Sequence, residues 1–173
     1  KLRGHSAERR KAALKQMKAN RAAYEADALC NRNSILRLTE RIRNAMIAYL
    51  QPTVSRSASG TLDIGRVWRG LYLDDDKVFT RIMQSDPGDL CVDILLDASY
   101  SQVNRQAMVS AQGYMIAEAL TRNKIPVRVS SFCSMSGYTI LTRYRDYFET
   151  DKNQRIFHFF TTGCNRDGLA LRA

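Results

Sequence analysis

In the stretch "DILLDASYSQ", the apolar run Ile94-Leu95-Leu96 stops at a carboxylate and two hydroxyls on alternate residues, Asp97, Ser99 and Ser101. These are hard oxygen ligands, suited to Mg²⁺, Mn²⁺ or Ca²⁺ and poorly matched to a soft metal. With so few charged ligands, an ion held there stays under-neutralised, keeps water at open positions and can accept an acidic group from a partner. Other ligand chemistry is sparse. Cys30, Cys91, Cys133 and Cys164 contain no C-x-x-C pair, which argues against both a zinc site and a compact disulfide framework, and they read as reduced thiols. His5 and His158 share no local pattern with another ligand and read as surface or structural residues.

The elements around the loop explain its position. "LCVDILLD" reads as a strand, "NRQAMVSAQGYMIAEALTRNK" as a helix with Met108, Ala111, Met115 and Ala119 at helical spacing, and "IPVRVSSFC" as a second strand. Together they make a βαβ unit with parallel strands. In open α/β sheets, ligands gather beyond the carboxyl ends of strands, and Asp97 ends the first one. "GYTILTRYRDY" reads as an edge strand paired antiparallel after a turn at Ser136-Gly137, and "RIFHFFTTG" as either a strand or an apolar helix end. "NRDGLALRA" opens a further helix, and the chain stops one helix into the second half of such a sheet, as an incomplete domain would.

D-x-S-x-S at a strand end resembles the metal-ion-dependent adhesion site of von Willebrand factor A (vWA) domains. "SGTLDIGRVWRGLYLDDDKVF" and "GCNRDGLALR" resemble segments flanking this site in the intracellular A domains of cobaltochelatase CobT-type subunits and nitric-oxide-reductase activation proteins of the NorD type. The resemblance covers residues 57 to 173. It implies a Rossmann-like, doubly wound, mostly parallel α/β sheet with Mg²⁺ (or Mn²⁺/Ca²⁺) at its top, serving recognition rather than turnover. It also implies work beside a MoxR-type AAA+ ATPase, with this domain as adaptor to a client metalloenzyme. In such sites a threonine from a second loop joins the ligands. Here that loop is "TTGCNRDG", which aligns Asn165 with the threonine and puts Asp167 two residues on, as an oxygen donor or a helix cap. The aspartate of a third loop is expected beyond Ala173. Tyr100 replaces a common glycine and is expected at the rim.

The N-terminal half has a different character. Leu14, Met17, Tyr24 and Ala28, then Ile35, Leu38, Ile42, Met46 and Tyr49, make two amphipathic stripes, so two helices are expected, with a break near "CNRNS", Asn33 or Ser34 as cap, and Pro52 as terminator. "PTVSRSASG" reads as a polar linker, and Ile64, Val67, Trp68 and Leu71 as a helical face on which the only tryptophan is a core anchor. The expected organisation is a basic helical extension over 1–52, a linker with a helical pre-domain segment over 53–89, and a vWA-type domain over 90–173.

Residues 1–50 carry twelve Lys and Arg against four acids, and so +8 of the net charge of +10. A basic helical arm is either a solvated face or a surface for nucleic acid or an acidic protein. No apolar run is long enough to cross a bilayer and no secretory signal pattern is present, so a cytoplasmic location is expected. An Mg-dependent phosphohydrolase using Asp97 needs further acids and a charge-stabilising lysine, and "DASYSQ" offers no second acid. The bland reading of the same loop is that Asp97 and Ser99 satisfy backbone donors while Ser101 or Asn104 caps the next helix.

Overall fold

The computed structural model describes residues 2–83, 90–135 and 137–164 of a mixed α/β protein with two small sheets, one of which contains a parallel pair. Two compact units divide the chain, one formed by Lys1–Ile42 with Leu90–Ala173 and the other by Arg43–Asp89.

In the first unit the expected βαβ order is present. Strand β4 (Val92–Asp97), helix α4 (Gln106–Arg122) and strand β5 (Val127–Met135) follow one another, and β4 and β5 run parallel from Val92↔Val127 to Asp97↔Phe132. Gly137, with φ of +86°, sits in the turn into β6 (Tyr138–Arg145), which pairs antiparallel with β5. The order is β4-β5-β6, so β5 is central and its Val127 and Val129 are fully buried.

Helix α4 covers this sheet through Gln106, Ser110, Gly113, Ala117 and Leu120, a face of mostly small residues. Of the residues at helical spacing, Ala119 is fully buried and Met108 half exposed. The packed face is set by approach distance: a Cβ on Gly113 would lie 3.2 Å from Leu96 Cδ1 and 3.4 Å from Ile156 Cγ2, so backbone meets core directly along this face. "RIFHFFTTG" is neither strand nor helix end alone: a 3₁₀ segment, Asn153–His158, buries Ile156 and Phe157, and an extended stretch follows. Inside this core Arg145 is buried, donating to Thr121 Oγ1 at 2.5 Å and to Asn153, which passes the link to Glu118 at 2.8 Å.

Helix α1 (Leu2–Ala26) packs against α4 and the 3₁₀ segment. Its Asn20 is fully buried and donates to the carbonyls of Phe157 (3.0 Å) and Phe159 (2.9 Å), while Tyr24, Tyr114 and Phe157 cluster with ring centroids 4.9–5.3 Å apart. The break before α2 (Ala28–Leu50) falls at Asp27, earlier than the expected "CNRNS". Asn31 bridges it by donating to Tyr24 O, whereas Asn33 and Ser34 lie inside α2, where the Ser34 hydroxyl bonds back to Cys30 O and caps nothing. The helix stops two residues before Pro52, as that residue requires.

The second unit corrects two expectations. Residues read as linker form strand β1 (Thr53–Ser57), which with β2 (Thr61–Leu62) and β3 (Phe79–Met83) makes an antiparallel sheet of order β1-β3-β2. Helix α3 (Val67–Tyr72) buries none of its residues. Trp68 is 51% exposed and Ile64 84%, so the tryptophan is not a core anchor within this unit; the Arg69 guanidinium lies 5.6 Å from its ring centroid. No helix among the described residues is long and apolar enough to cross a membrane.

Candidate functional site

Asp97 is the last residue of β4, at the carboxyl end of the parallel pair. The chain leaves the sheet through Ala98, whose amide still donates to Phe132 O at 2.9 Å, and turns at Ser99. Asp97 Oδ1 accepts from the Ser99 amide at 2.8 Å, an Asx turn that fixes the loop's direction. Ser99 and Ser101 then face one another, their hydroxyl oxygens 2.7 Å apart. Thus the three sequence-predicted ligands share one loop end, with Ser99 buried, Asp97 half-buried and Ser101 exposed. Tyr100 projects at the rim, 69% exposed.

Two details distinguish this loop from an ordinary helix cap. A 3₁₀ turn, Tyr100–Arg105, intervenes before α4, and the α4 N-cap is Arg105 with no capping side chain. Neither Ser101 nor Asn104 caps that helix; the Asx turn is the part of the bland reading that is present.

A second segment closes over the loop. Thr162 donates its amide to Ala98 O at 2.7 Å, and Gly163 O accepts from the Tyr100 amide at 2.9 Å. Cys164 pairs with Ser134 through both backbone bonds, at 2.7 and 2.8 Å. Gly163 has φ of +70°, and a Cβ there would come within 2.3 Å of Ser134 O, so only glycine allows this closure. The neighbouring Thr161 amide is held by Gln106 Oε1 at 2.9 Å. The hydroxyls of Ser134 and Thr161 are buried without a hydrogen-bond partner among the described residues. Asn165 and Asp167, the proposed second-loop contributors, lie outside the described residues, as does the helix expected at "NRDGLALRA".

The region contains a cation that sequence reasoning missed. Arg9 of α1 donates from one terminal nitrogen to Thr162 Oγ1 at 2.7 Å, and its other terminal nitrogen lies 3.9 Å from Met135 Sδ. The buried Cys133 thiol senses the same surroundings: burial pushes its pKa up, Arg9 pulls it down and Asp97 raises it. No local signal marks Arg9, since its partner is 153 residues away; Thr162 itself lies in the "TTG" that opens the aligned second loop.

Asp97, Ser99 and Ser101 offer oxygen donors, the chemistry that hard divalent ions take, and the two serine hydroxyls are hydrogen-bonded to one another at 2.7 Å. Among the described residues no group of three His, Cys, Asp or Glu side chains could hold a metal ion, and the described loop offers one carboxylate and two hydroxyls. The chain matches no family model, no curated protein and no solved structure.

Proposed function

We propose that this chain is a non-catalytic protein-interaction domain of the vWA type, displaying a divalent ion, Mg²⁺ by preference, at the carboxyl end of its parallel strands. The observation that carries the reading is the placement of Asp97, Ser99 and Ser101 in one loop at the end of β4, with the two serine hydroxyls 2.7 Å apart. Such a set holds an ion weakly charged by its ligands and open to a further oxygen, which is chemistry for recognition. Asn165 and Asp167 are the further contributors from the second loop. By the resemblance of its motifs, the domain belongs to a doubly wound sheet and serves as adaptor between a MoxR-type AAA+ ATPase and a client metalloenzyme.

The test is a pull-down of purified ATPase and client by wild type and Asp97→Ala, with Mg²⁺ and with chelator. Binding lost on chelation and in Asp97→Ala supports the reading. Binding that ignores both sinks the metal bridge. Phosphatase turnover that requires Asp97 would instead favour the enzymatic alternative.

A further inference from the structure

We infer that the groove between α2 and α4 docks an acidic amphipathic helix of a partner protein, its apolar side chains seated between the two helices and its carboxylates against Arg37, Arg41 and Arg105. The surface uses none of the residues of the 97–101 loop and needs no ion.

The apolar faces of both helices are wider than the contact between them. On α2, Ile35 and Thr39 are buried, and Asn123, just past the end of α4, donates to Thr39 O at 3.1 Å, which ties the helices together at that end. One step around each helix the packing opens. Ser34 and Leu38 of α2 face Gln112, Met115 and Ile116 of α4 across a cavity of about 290 Å³, and both walls belong to the first unit. Met108, one turn before Gln112, is 50% exposed and Ile116 40%, so the apolar wall of α4 runs on for more than two turns. Methionine side chains adapt to the shape of what they meet, which suits a contact surface. A slot walled by two helices takes a third, whose ridge of side chains lies in the groove the pair leaves. Neither wall offers the free backbone groups that an extended strand needs.

Charge selects the sequence of that helix. Arg41 lies one turn beyond Leu38 and two beyond Ser34 on the same stripe, Arg37 flanks it, and Arg105 stands one turn before Met108 at the start of α4. All three are exposed, and among the described residues none of them is in an ion pair. The acids of the two helices do not offset them. The only one on α2 is Glu40, about 120° around the helix from Ser34. The only one on α4 is Glu118, which is engaged by Arg122 and Asn153. An apolar floor with a basic rim complements leucines and carboxylates carried on one helix. A nucleic acid would meet the arginines but leave the methionine wall uncovered.

The test is anisotropy of a fluorescein-labelled amphipathic peptide of leucine, alanine and glutamate, its leucines spaced three and four residues apart, with chelator present throughout. Wild type should bind it in the micromolar range, and a peptide of the same composition with leucines scattered around the helix should bind about tenfold more weakly or worse. Ile116→Glu, at a partly exposed position, should weaken the amphipathic peptide about tenfold or more. Arg37→Glu combined with Arg41→Glu should weaken it about tenfold and flatten its salt dependence. Lys11→Glu combined with Lys15→Glu, the same charge change on α1, which carries no groove residue, should alter binding by less than about twofold. Circular dichroism should show every variant as helical as wild type. No binding of the amphipathic peptide, equal binding of the scattered one, or an equal loss in the α1 variant overturns the inference, the last by assigning the attraction to the basic arm as a whole. A single-stranded oligonucleotide that displaces the labelled peptide better than unlabelled peptide does overturns it in favour of nucleic acid. Because chelator is present in every arm, these outcomes are independent of the ion at the 97–101 loop, which stands or falls on the pull-down with Asp97→Ala.

Discussion

The two sheets of this protein have the same number of strands and opposite interiors. In β4-β5-β6 the central strand buries Val127, Val129, Phe132 and Cys133, and α4 lies across it through a face of small residues. In β1-β3-β2 no described residue of the unit is buried, and Val54 and Ile82, cross-strand partners, are both mostly exposed. Strand pairing satisfies backbone groups in both cases. Only a covering layer removes apolar surface from water, and that is the larger source of stability. The oxygen-bearing loop belongs to the covered sheet, where β4 is paired with the buried central strand β5.

That contrast can be pressed with substitutions of decreasing effect. Ile156→Ala, at a fully buried position against α4, should lower stability by about 2–5 kcal/mol, read from the denaturant midpoint. Asn20→Ala strands the Phe157 and Phe159 carbonyls and should cost about 1–3 kcal/mol, with hydrogen exchange speeding up in α1 before the sheet. Equal exchange in α1 would mean that the helix is held by its aromatic contacts instead. A smaller effect is set by pH. The Arg128 guanidinium, helped by the Tyr147 hydroxyl, holds the Asp93 carboxyl below its usual range despite some desolvation. A depressed pKa gives stability that is complete above about pH 4 and lost as pH falls through the folded-state value. Because both partners are well exposed, Asp93→Asn should cost no more than about 1 kcal/mol at neutral pH, and the difference from wild type should vanish in acid. Val54→Ala in the uncovered sheet should change stability by only about 0.5 kcal/mol or less. A loss as large as that of Ile156→Ala would break the comparison and point to a cover over β1.

Legibility followed range of interaction. The strand, helix, strand order from Val92 to Met135 and the antiparallel return at Gly137 were readable because period and turn chemistry are local. Helical spacing shows α4 as a helix but does not fix its inner face: of the spaced residues Ala119 is fully buried and Met108 half exposed, and close packing selects Gly113 and Ala117. Trp68 reads as core because large aromatics are usually buried, but none of the described residues of its unit is buried and Trp68 itself is 51% exposed. The helix break was misplaced because Asn31 acts backwards onto Tyr24, a role that composition does not distinguish from capping the next helix.

At the candidate site the division is just as clear. Asp97, Ser99 and Ser101 were identifiable by type and spacing, since an apolar strand ending in alternating oxygens puts them in one loop. Arg9, Thr162 and Gly163 were not, because their approach depends on α1 docking through Asn20 and on a glycine backbone passing within reach of Ser134. The sequence alone determined which atoms are offered at the end of β4 and the basic character of the first helices. Which cation reaches Thr162, in the segment bonded to that loop, was decided only by the tertiary structure, because hydrogen bonds between residues more than a hundred positions apart leave no periodicity in the chain that makes them.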